Sequence, residues 1–204
     1  MKYTKVPENT FNEIQLNAGV LVKNFVPSTG AVTGADILGA TSGGIKFAAT
    51  STFKDFGEDI DNCPKNTKEL KKREDWEAKL SGSFVTVNAA SAALLVGSAN
   101  TSTTSGVSKI TPLRDVSDAD FKDVWFVGDY SSNNSDTDGG FVAIHLMNSL
   151  STGGFSMTTT DKEKGKFDFE FTGHYSITTP NLVPFEIYVN GGGAAARTAP
   201  KGDA

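Results

Sequence analysis

The sequence from residue 45 to residue 87 reads IKFAATSTFKDFGEDIDNCPKNTKELKKREDWEAKLSGSFVTV. At both ends of this segment apolar or small residues alternate with polar ones, which is the period of a β-strand with one buried and one solvated face. The inward set is Ile45, Phe47, Ala49, Ser51 and Phe53 in the first strand, and Trp76, Ala78, Leu80, Gly82 and Phe84 in the second. The alternation therefore predicts two long strands of one sheet.

About twenty residues, 54–74, separate these two strands, and we call them the arm. Ordinary hairpin connections have only two to five residues. The arm's charges are sorted along the chain, with Asp55, Glu58, Asp59 and Asp61 first and Lys65, Lys68, Lys71, Lys72 and Arg73 after them. Opposite patches attract and set register, so the arm can bind a copy of itself head to tail. A solvated surface loop is the alternative.

A short helical turn is predicted inside the arm at 67–74. Asn66 to Glu69 has the form of a capping box, and Glu69 and Arg73 are spaced as a helical ion pair.

The composition of the 204-residue chain fits one domain, which we place at 1–190, and its 21 glycines and many Ser and Thr residues favour strands and turns. A net charge of −5 argues against a phosphate-binding groove. Cys63 is the sole cysteine, which excludes an intrachain disulfide and a thiolate-cluster metal site. No signal-peptide core and no apolar run of membrane-spanning length occurs, so we expect a chain that is made in a cytoplasm and is soluble there.

The rest of the chain predicts one short helix at about 89–97 and further strands at 13–26, 121–128, 141–147, 155–160, 166–177 and 184–189. Residues 99–106 form a Ser/Thr-rich loop in this prediction, and 191–204 form a flexible tail. The fold class is therefore mainly β with one short α-helix and a long charged arm between two strands.

Motifs that carry chemistry are weak in this sequence. Residues 134–139 match the first half of a calcium loop, but His145 stands where its bidentate Glu belongs, and a plain turn rich in Asn and Asp is the alternative. Asp168 and Glu170 lie on the same solvated face of one predicted strand and form a carboxylate pair, as in glycosidases. The alternative is that the pair is simply the solvated side of a sheet. No nucleophile motif or Walker loop is present. We therefore predict no enzyme, no cofactor and no metal site.

Several runs resemble the major tail proteins, or tail tube proteins, of long-tailed bacteriophages that infect Gram-positive bacteria. They are 55–70 (DFGEDIDNCPKNTKEL), 125–130 (WFVGDY), 140–146 (GFVAIHL), 150–155 (LSTGGF) and 169–174 (FEFTGH). The resemblance implies two packed antiparallel sheets, as a tail-tube β-sandwich or barrel, with one flanking helix. It also implies hexameric rings that stack into a hollow tube in the virion tail, assembled in the host cytoplasm.

The partners that the resemblance implies are the chain itself, the tape-measure, tail-terminator and baseplate proteins, and phage DNA in transit without specific binding, with no membrane. An acidic protein suits such a channel because it repels the phosphates of DNA, whereas contacts with phosphate would retain the DNA. From this we predict that the arm makes the inter-ring stacking contact. We also predict that the polar sets of the two long strands face the lumen: Lys46, Thr50, Thr52, Glu77, Lys79, Ser81 and Ser83.

The alternative function is a β-sandwich module that binds carbohydrate or a cell surface. Particle mass discriminates the two functions, since a binding module stays a small oligomer whereas a tube protein forms rings or long polymers.

Overall fold

In a computed structural model of the chain, the structure describes residues 6–7, 10, 14–15, 17–129 and 140–191. The candidate calcium loop at 134–139 lies outside the described residues, and so does the predicted tail beyond residue 191.

The described chain is mainly β, which confirms the predicted fold class. In chain order its elements are β1 (Val20–Val22), β2 (Thr41–Asp55), β3 (Lys71–Phe84), α1 (Ala89–Val96), β4 (Ala99–Thr104), β5 (Val107–Pro112), β6 (Lys122–Asp129), β7 (Phe141–Ser151), β8 (Ser156–Thr158), β9 (Lys166–Thr172) and β10 (Phe185–Asn190). No helix in the described ranges is long and apolar enough to cross a membrane.

The main sheet is antiparallel and has eight strands in two halves that share β7. The strand order is β1-β6-β7-β9-β3-β2, with β10 also on β7 and β8 also on β9. The first part of β7 lies between β6 and β10, and its last residues, Leu150 and Ser151, pair with β9. β4 and β5 form a separate two-stranded sheet. No barrel closes among the described strands.

The main core lies between the two halves of this sheet. It combines buried residues of both, among them Leu21, Val124, Phe126, Ile144 and Leu146 from one half and Ala78, Leu80, Phe84, Phe169 and Phe171 from the other. Ala78, Leu80 and Phe84 belong to the predicted inward set, and all three are buried. Burial of this apolar area is the main force that holds the halves together.

Helix α1 begins and ends where the sequence predicts. The Asn88 side chain accepts a hydrogen bond from the Ser91 backbone N–H at 2.9 Å, and the Ser91 hydroxyl accepts one from the Asn88 N–H at 2.9 Å. These two bonds satisfy N–H groups that have no partner within the helix. Gly97 ends the helix with φ at 90°, a conformation that favours glycine.

The predictions for the 166–177 strand and for the 99–106 loop were wrong, and of the strand predicted within 13–26 only Val20–Val22 is a strand among the described residues. The strand predicted at 166–177 ends at Thr172, where its pairing with β3 ends, and a turn closed by the Thr179 N–H and the Ser176 carbonyl follows at 176–179. Ile177 in that turn is 96% exposed, although alternation placed it inside. The loop predicted at 99–106 contains β4, which pairs with β5 across a turn with positive φ at Ser105 and Gly106.

Candidate functional site

The two long strands project beyond the rest of the sheet. β9 pairs with β3 only from Lys79 to Phe84, whereas β2 and β3 stay paired with each other as far as Asp55 and Lys71. We call the projecting part, residues 50–77, the ribbon; its connection spans 56–70. A two-stranded ribbon without further support is marginal in water, so its own side chains must stabilise it or a partner must cover it.

The ribbon's bounds correct the predicted arm. Lys71, Lys72 and Arg73 lie in β3 rather than in the connection, because pairing with β2 continues through them. The helical turn predicted at 67–74 is only a 3-10 turn, Lys68–Leu70, without a side-chain cap. Glu69 lies 3.4 Å from Lys68, a pair exposed on both sides that contributes little to stability.

One face of the ribbon is stabilised by cations stacked on aromatic rings. A bulge between Ser51 and Phe53 places Phe53 opposite Arg73. The Arg73 guanidinium lies 4.5 Å from the Trp76 ring centre and 5.3 Å from that of Phe53. Lys71 stands 5.5 Å from the same Phe53 ring. Each such contact contributes about 0.5–1 kcal/mol at an exposed site.

The other face of the ribbon places two like charges together. Lys54 lies directly opposite Lys72, and the Lys54 ammonium stands 5.5 Å over the ring of Phe56. No ion pair in the described part of the chain involves either lysine. Like charges directly opposite each other destabilise a strand pair, so this face is unfavourable in the isolated chain.

The connection is ordered by hydrogen bonds of its own. The Asp55 carboxylate accepts from the Gly57 N–H at 2.9 Å and from the Asn66 N–H at 2.8 Å. These two bonds, together with the charge of Lys71, hold the pKa of Asp55 below its ordinary value. The Lys71 ammonium also donates to the Asn66 side chain at 2.9 Å. Asp55 therefore orders the connection, and its predicted part in the stacking contact stays a prediction.

The charges of the arm are only partly separated in space, because Lys65 and Lys68 lie in the connection with the acidic residues. Glu58, Asp59 and Asp61 are exposed on the turns of the connection, whereas Lys71, Lys72 and Arg73 lie on the strand that supports it. Phe53, Phe56 and Ile60 are also half exposed, at 50%, 53% and 51%. The ribbon therefore offers apolar side chains between charged ones, a composition typical of protein interfaces.

The predicted lumen face is one continuous polar surface of β2, β3 and β9. Lys46 lies opposite Ser81, Thr50 opposite Glu77, and Ser81 in turn opposite Glu170. Thr52 donates a hydrogen bond to Asp75, and Ser83 donates one to Asp168 at 2.6 Å. The structure thus brings the predicted residues together on one face, and their position in a lumen stays a prediction.

Lys79 is neutralised within the chain. Its ammonium lies 2.7 Å from Glu77 and 3.7 Å from Glu170. The hydrogen bond to Glu77 and the charge of Glu170 raise the pKa of Lys79 above its ordinary value. Lys46 has no ion-pair partner among the described residues. A polyanion near this face would therefore meet carboxylates beside every Lys79.

The outer edge of β2 is the longest unpaired edge of the described sheet. β2 has fifteen residues and stands at one end of the strand order, with β3 on one side only. Unpaired edges invite another strand, and Gly43 and Gly44, with φ near 83° and 84°, interrupt only its first part. The alternation in the sequence predicts which face of β2 is buried. It does not predict that β2 lies at an edge of the sheet, because edge position depends on strand order.

The two histidines lie outside the ribbon. His145 Nε2 is 3.0 Å from Asp123, its Nδ1 is 3.7 Å from Glu186, and its ring stacks on Trp125 at 3.9 Å. His174 Nδ1 lies 3.1 Å from the Asn148 carbonyl oxygen. Within the described ranges, no three His, Cys, Asp or Glu side chains gather as a metal site.

A groove of about 850 Å³ runs beside α1. Its floor includes Ile37, Ala90, Ala93 and Leu94, and Lys23 and Asp123 lie among its polar lining. Two carboxylates line this groove, and both have partners within the chain: Asp123 is bonded to His145, and Asp120 to Ser98 and Ser117.

Comparison with protein-family models and with curated protein sequences gives no match for this chain.

Proposed function

We propose that this chain is a structural subunit that assembles into rings, and that the rings stack into a hollow tube, as in the tails of long-tailed bacteriophages. Each ring has six copies, and phage DNA passes through the lumen without specific binding. The chain acts by self-assembly and meets the tape-measure, terminator and baseplate proteins at the tube's interior and ends.

The observation that carries this proposal is the ribbon. It extends the sheet by six residues of β2 and seven of β3, exposes Phe53, Phe56 and Ile60, and places Lys54 against Lys72. In an isolated domain this extension leaves three apolar side chains half exposed and two like charges opposed. Contact with another copy removes both defects.

The edge of β2 supports the ring. A closed ring of copies lets each β2 edge pair with a neighbouring subunit, so that no long edge stays exposed to aggregation. The ribbon supports the stack, because a contact between two different surfaces repeats without closing and therefore makes a filament.

The polar face of β2, β3 and β9 supports the passage of DNA. Hydroxyl groups alternate there with carboxylates, and Lys79 is held between Glu77 and Glu170. Phosphate contacts with Lys and Arg are what retain DNA. A lumen with few unpaired cations would let the duplex slide.

Light scattering coupled to size-exclusion chromatography tests the proposal through particle mass. Six copies of the 21.6-kDa chain give a particle of about 130 kDa, and stacked rings give multiples of that mass. A small oligomer that instead binds isolated bacterial cell walls would support the alternative, a binding module for carbohydrate or cell surfaces.

A further inference from the structure

The ribbon face that carries Lys54, Phe56 and Lys72 has no carboxylate partner among the residues that the structure describes. Both lysines are exposed, and Phe56 beside them is 53% exposed. No hydrogen bond or ion pair in the described residues brings a carboxylate to either ammonium. A surface that fits this face must offer two carboxylates with an apolar side chain next to them.

The loop between β5 and β6 has that chemistry. Leu113 and Val116 are 45% and 51% exposed, and Asp115 and Asp118 lie beside them with exposed side chains. The exposed Arg114 lies between Leu113 and Asp115, and the two carboxylates outnumber its single positive charge. Neither carboxylate takes part in a hydrogen bond or ion pair among the described residues, where Asp115 and Asp118 contribute only backbone carbonyls.

The loop is held in shape by other groups. The Asp120 carboxylate accepts from the Ser117 N–H at 2.8 Å and from the Ser98 hydroxyl at 2.9 Å. The Leu113 N–H donates to the Ser98 carbonyl at 3.0 Å. Asp115 and Asp118 are therefore presented on a preorganised loop, which lowers the entropy lost on docking.

We propose that the ribbon face of one copy docks on the 113–118 loop of the next copy. Lys54 and Lys72 pair with Asp115 and Asp118, and Phe56 packs on Leu113 and Val116. This inference rests on the proposed function, because it names the surface that receives the ribbon in the stack.

The two surfaces are different parts of one chain, so the contact is head to tail. No hydrogen bond or ion pair joins the loop to the ribbon within the described chain. Both surfaces therefore remain free of each other in the described chain, and each new copy presents the same pair of surfaces again.

Reciprocal charge reversal tests the docking. One variant carries Lys54→Glu and Lys72→Glu, the other carries Asp115→Lys and Asp118→Lys, and each brings like charges together. At low salt we expect each variant alone to yield at most one tenth of the pelleted polymer that wild type yields. An equimolar mixture should regain it, since each reversed ribbon then meets a reversed loop and each unchanged ribbon meets an unchanged loop.

The matched control is Lys162→Glu with Lys164→Glu in the turn before β9. It changes the net charge as the ribbon variant does, and it should pellet like wild type. Circular dichroism of all variants establishes that they are folded.

Cross-linking gives a readout that does not depend on charge. In a Cys63→Ser background, Phe56→Cys and Val116→Cys are made in separate chains and mixed with a short bismaleimide. We expect a cross-linked dimer in the mixture and none in either chain alone.

The outcomes separate the two proposals. If wild type forms no ring or tube at any salt, the proposed function fails. If wild type assembles but the mixture does not regain polymer, or only the ribbon variant is impaired, the 113–118 loop is not the receiving surface while the proposed function stands. Failure of the cross-link in assembled material overturns the docking as well.

Discussion

Lys72→Glu is expected to stabilise the isolated chain while it prevents assembly. Lys72 lies directly opposite Lys54 on an exposed face, and neither has an ion pair in the described chain. Reversal turns a repulsive pair into an attractive one, a change on the order of 1 kcal/mol in the free energy of unfolding. For a chain of this size that corresponds to a rise in Tm of about 2–4 °C.

The neighbouring substitution Arg73→Glu is the control, and its effect has the opposite sign. Arg73 lies over Trp76 at 4.5 Å and over Phe53 at 5.3 Å. Loss of both contacts costs about 1–2 kcal/mol, since each contributes about 0.5–1 kcal/mol. Arg73→Glu should therefore unfold at lower temperature than wild type.

The assay is thermal unfolding followed by circular dichroism, at a protein concentration where light scattering detects only monomer. It is run in low salt and again at about 1 M salt, where the Debye length is about 3 Å. The gain of Lys72→Glu should shrink in high salt, and the loss of Arg73→Glu should persist in part. A lower Tm for Lys72→Glu, or undiminished tube growth by that variant, would refute the reasoning about this face.

Three further predictions concern stability. Leu80→Ala should lower the free energy of unfolding by about 2–5 kcal/mol in urea titration, because Leu80 is fully buried in the main core; a loss below about 1 kcal/mol would contradict its place there. Asp55→Asn should destabilise the ribbon at neutral pH. The lowered pKa of Asp55 contributes stability above its unfolded value, ordinarily near 3.8, and that contribution is lost as pH falls through the folded value. The two chains should therefore converge in acid, and a gap that widens in acid would count against the bonds to Gly57 and Asn66. Gly97→Ala should cost about 1 kcal/mol in thermal unfolding, since φ is 90° there; an unchanged Tm would mean that the helix ends differently.

The sequence predicted the parts of the fold that local physics determines. Alternation over 45–51 and 76–84 gave the inward faces of β2 and β3 correctly, because one buried face imposes a period of two on both strands. For Phe53 the prediction was wrong: the bulge after Ser51 shifts the register, and the side chain is 50% exposed. The α1 bounds followed from Asn88 and Gly97, whose capping roles are readable without tertiary contacts.

Other features depend on partners distant in sequence. Lys71, Lys72 and Arg73 look like part of a charged loop, but pairing with Phe53, Lys54 and Asp55 makes them strand residues. The spacing of Glu69 and Arg73 predicted a helical turn, but strand pairing determines the structure of Arg73, because tertiary contacts often override weak local propensity. The strand β4 escaped detection because its Thr and Ser side chains are exposed on both faces and show no alternation.

The sequence predicts only some features of the candidate interface. Sorted charges in the arm are a local pattern, whereas the opposition of Lys54 and Lys72 and the stacking of Arg73 on Trp76 need the strand register. The exposed Asp115 and Asp118 were not singled out at all, since short acidic loops are ordinarily solvated surface.

Negative-stain electron microscopy of the purified chain, across a range of salt and protein concentrations, tests self-assembly most directly. We expect rings at low concentration and hollow tubes at high concentration and low salt, with tubes that shorten as salt screens the ribbon contact. Small, monodisperse particles under every condition would contradict the proposal that this chain builds a tube.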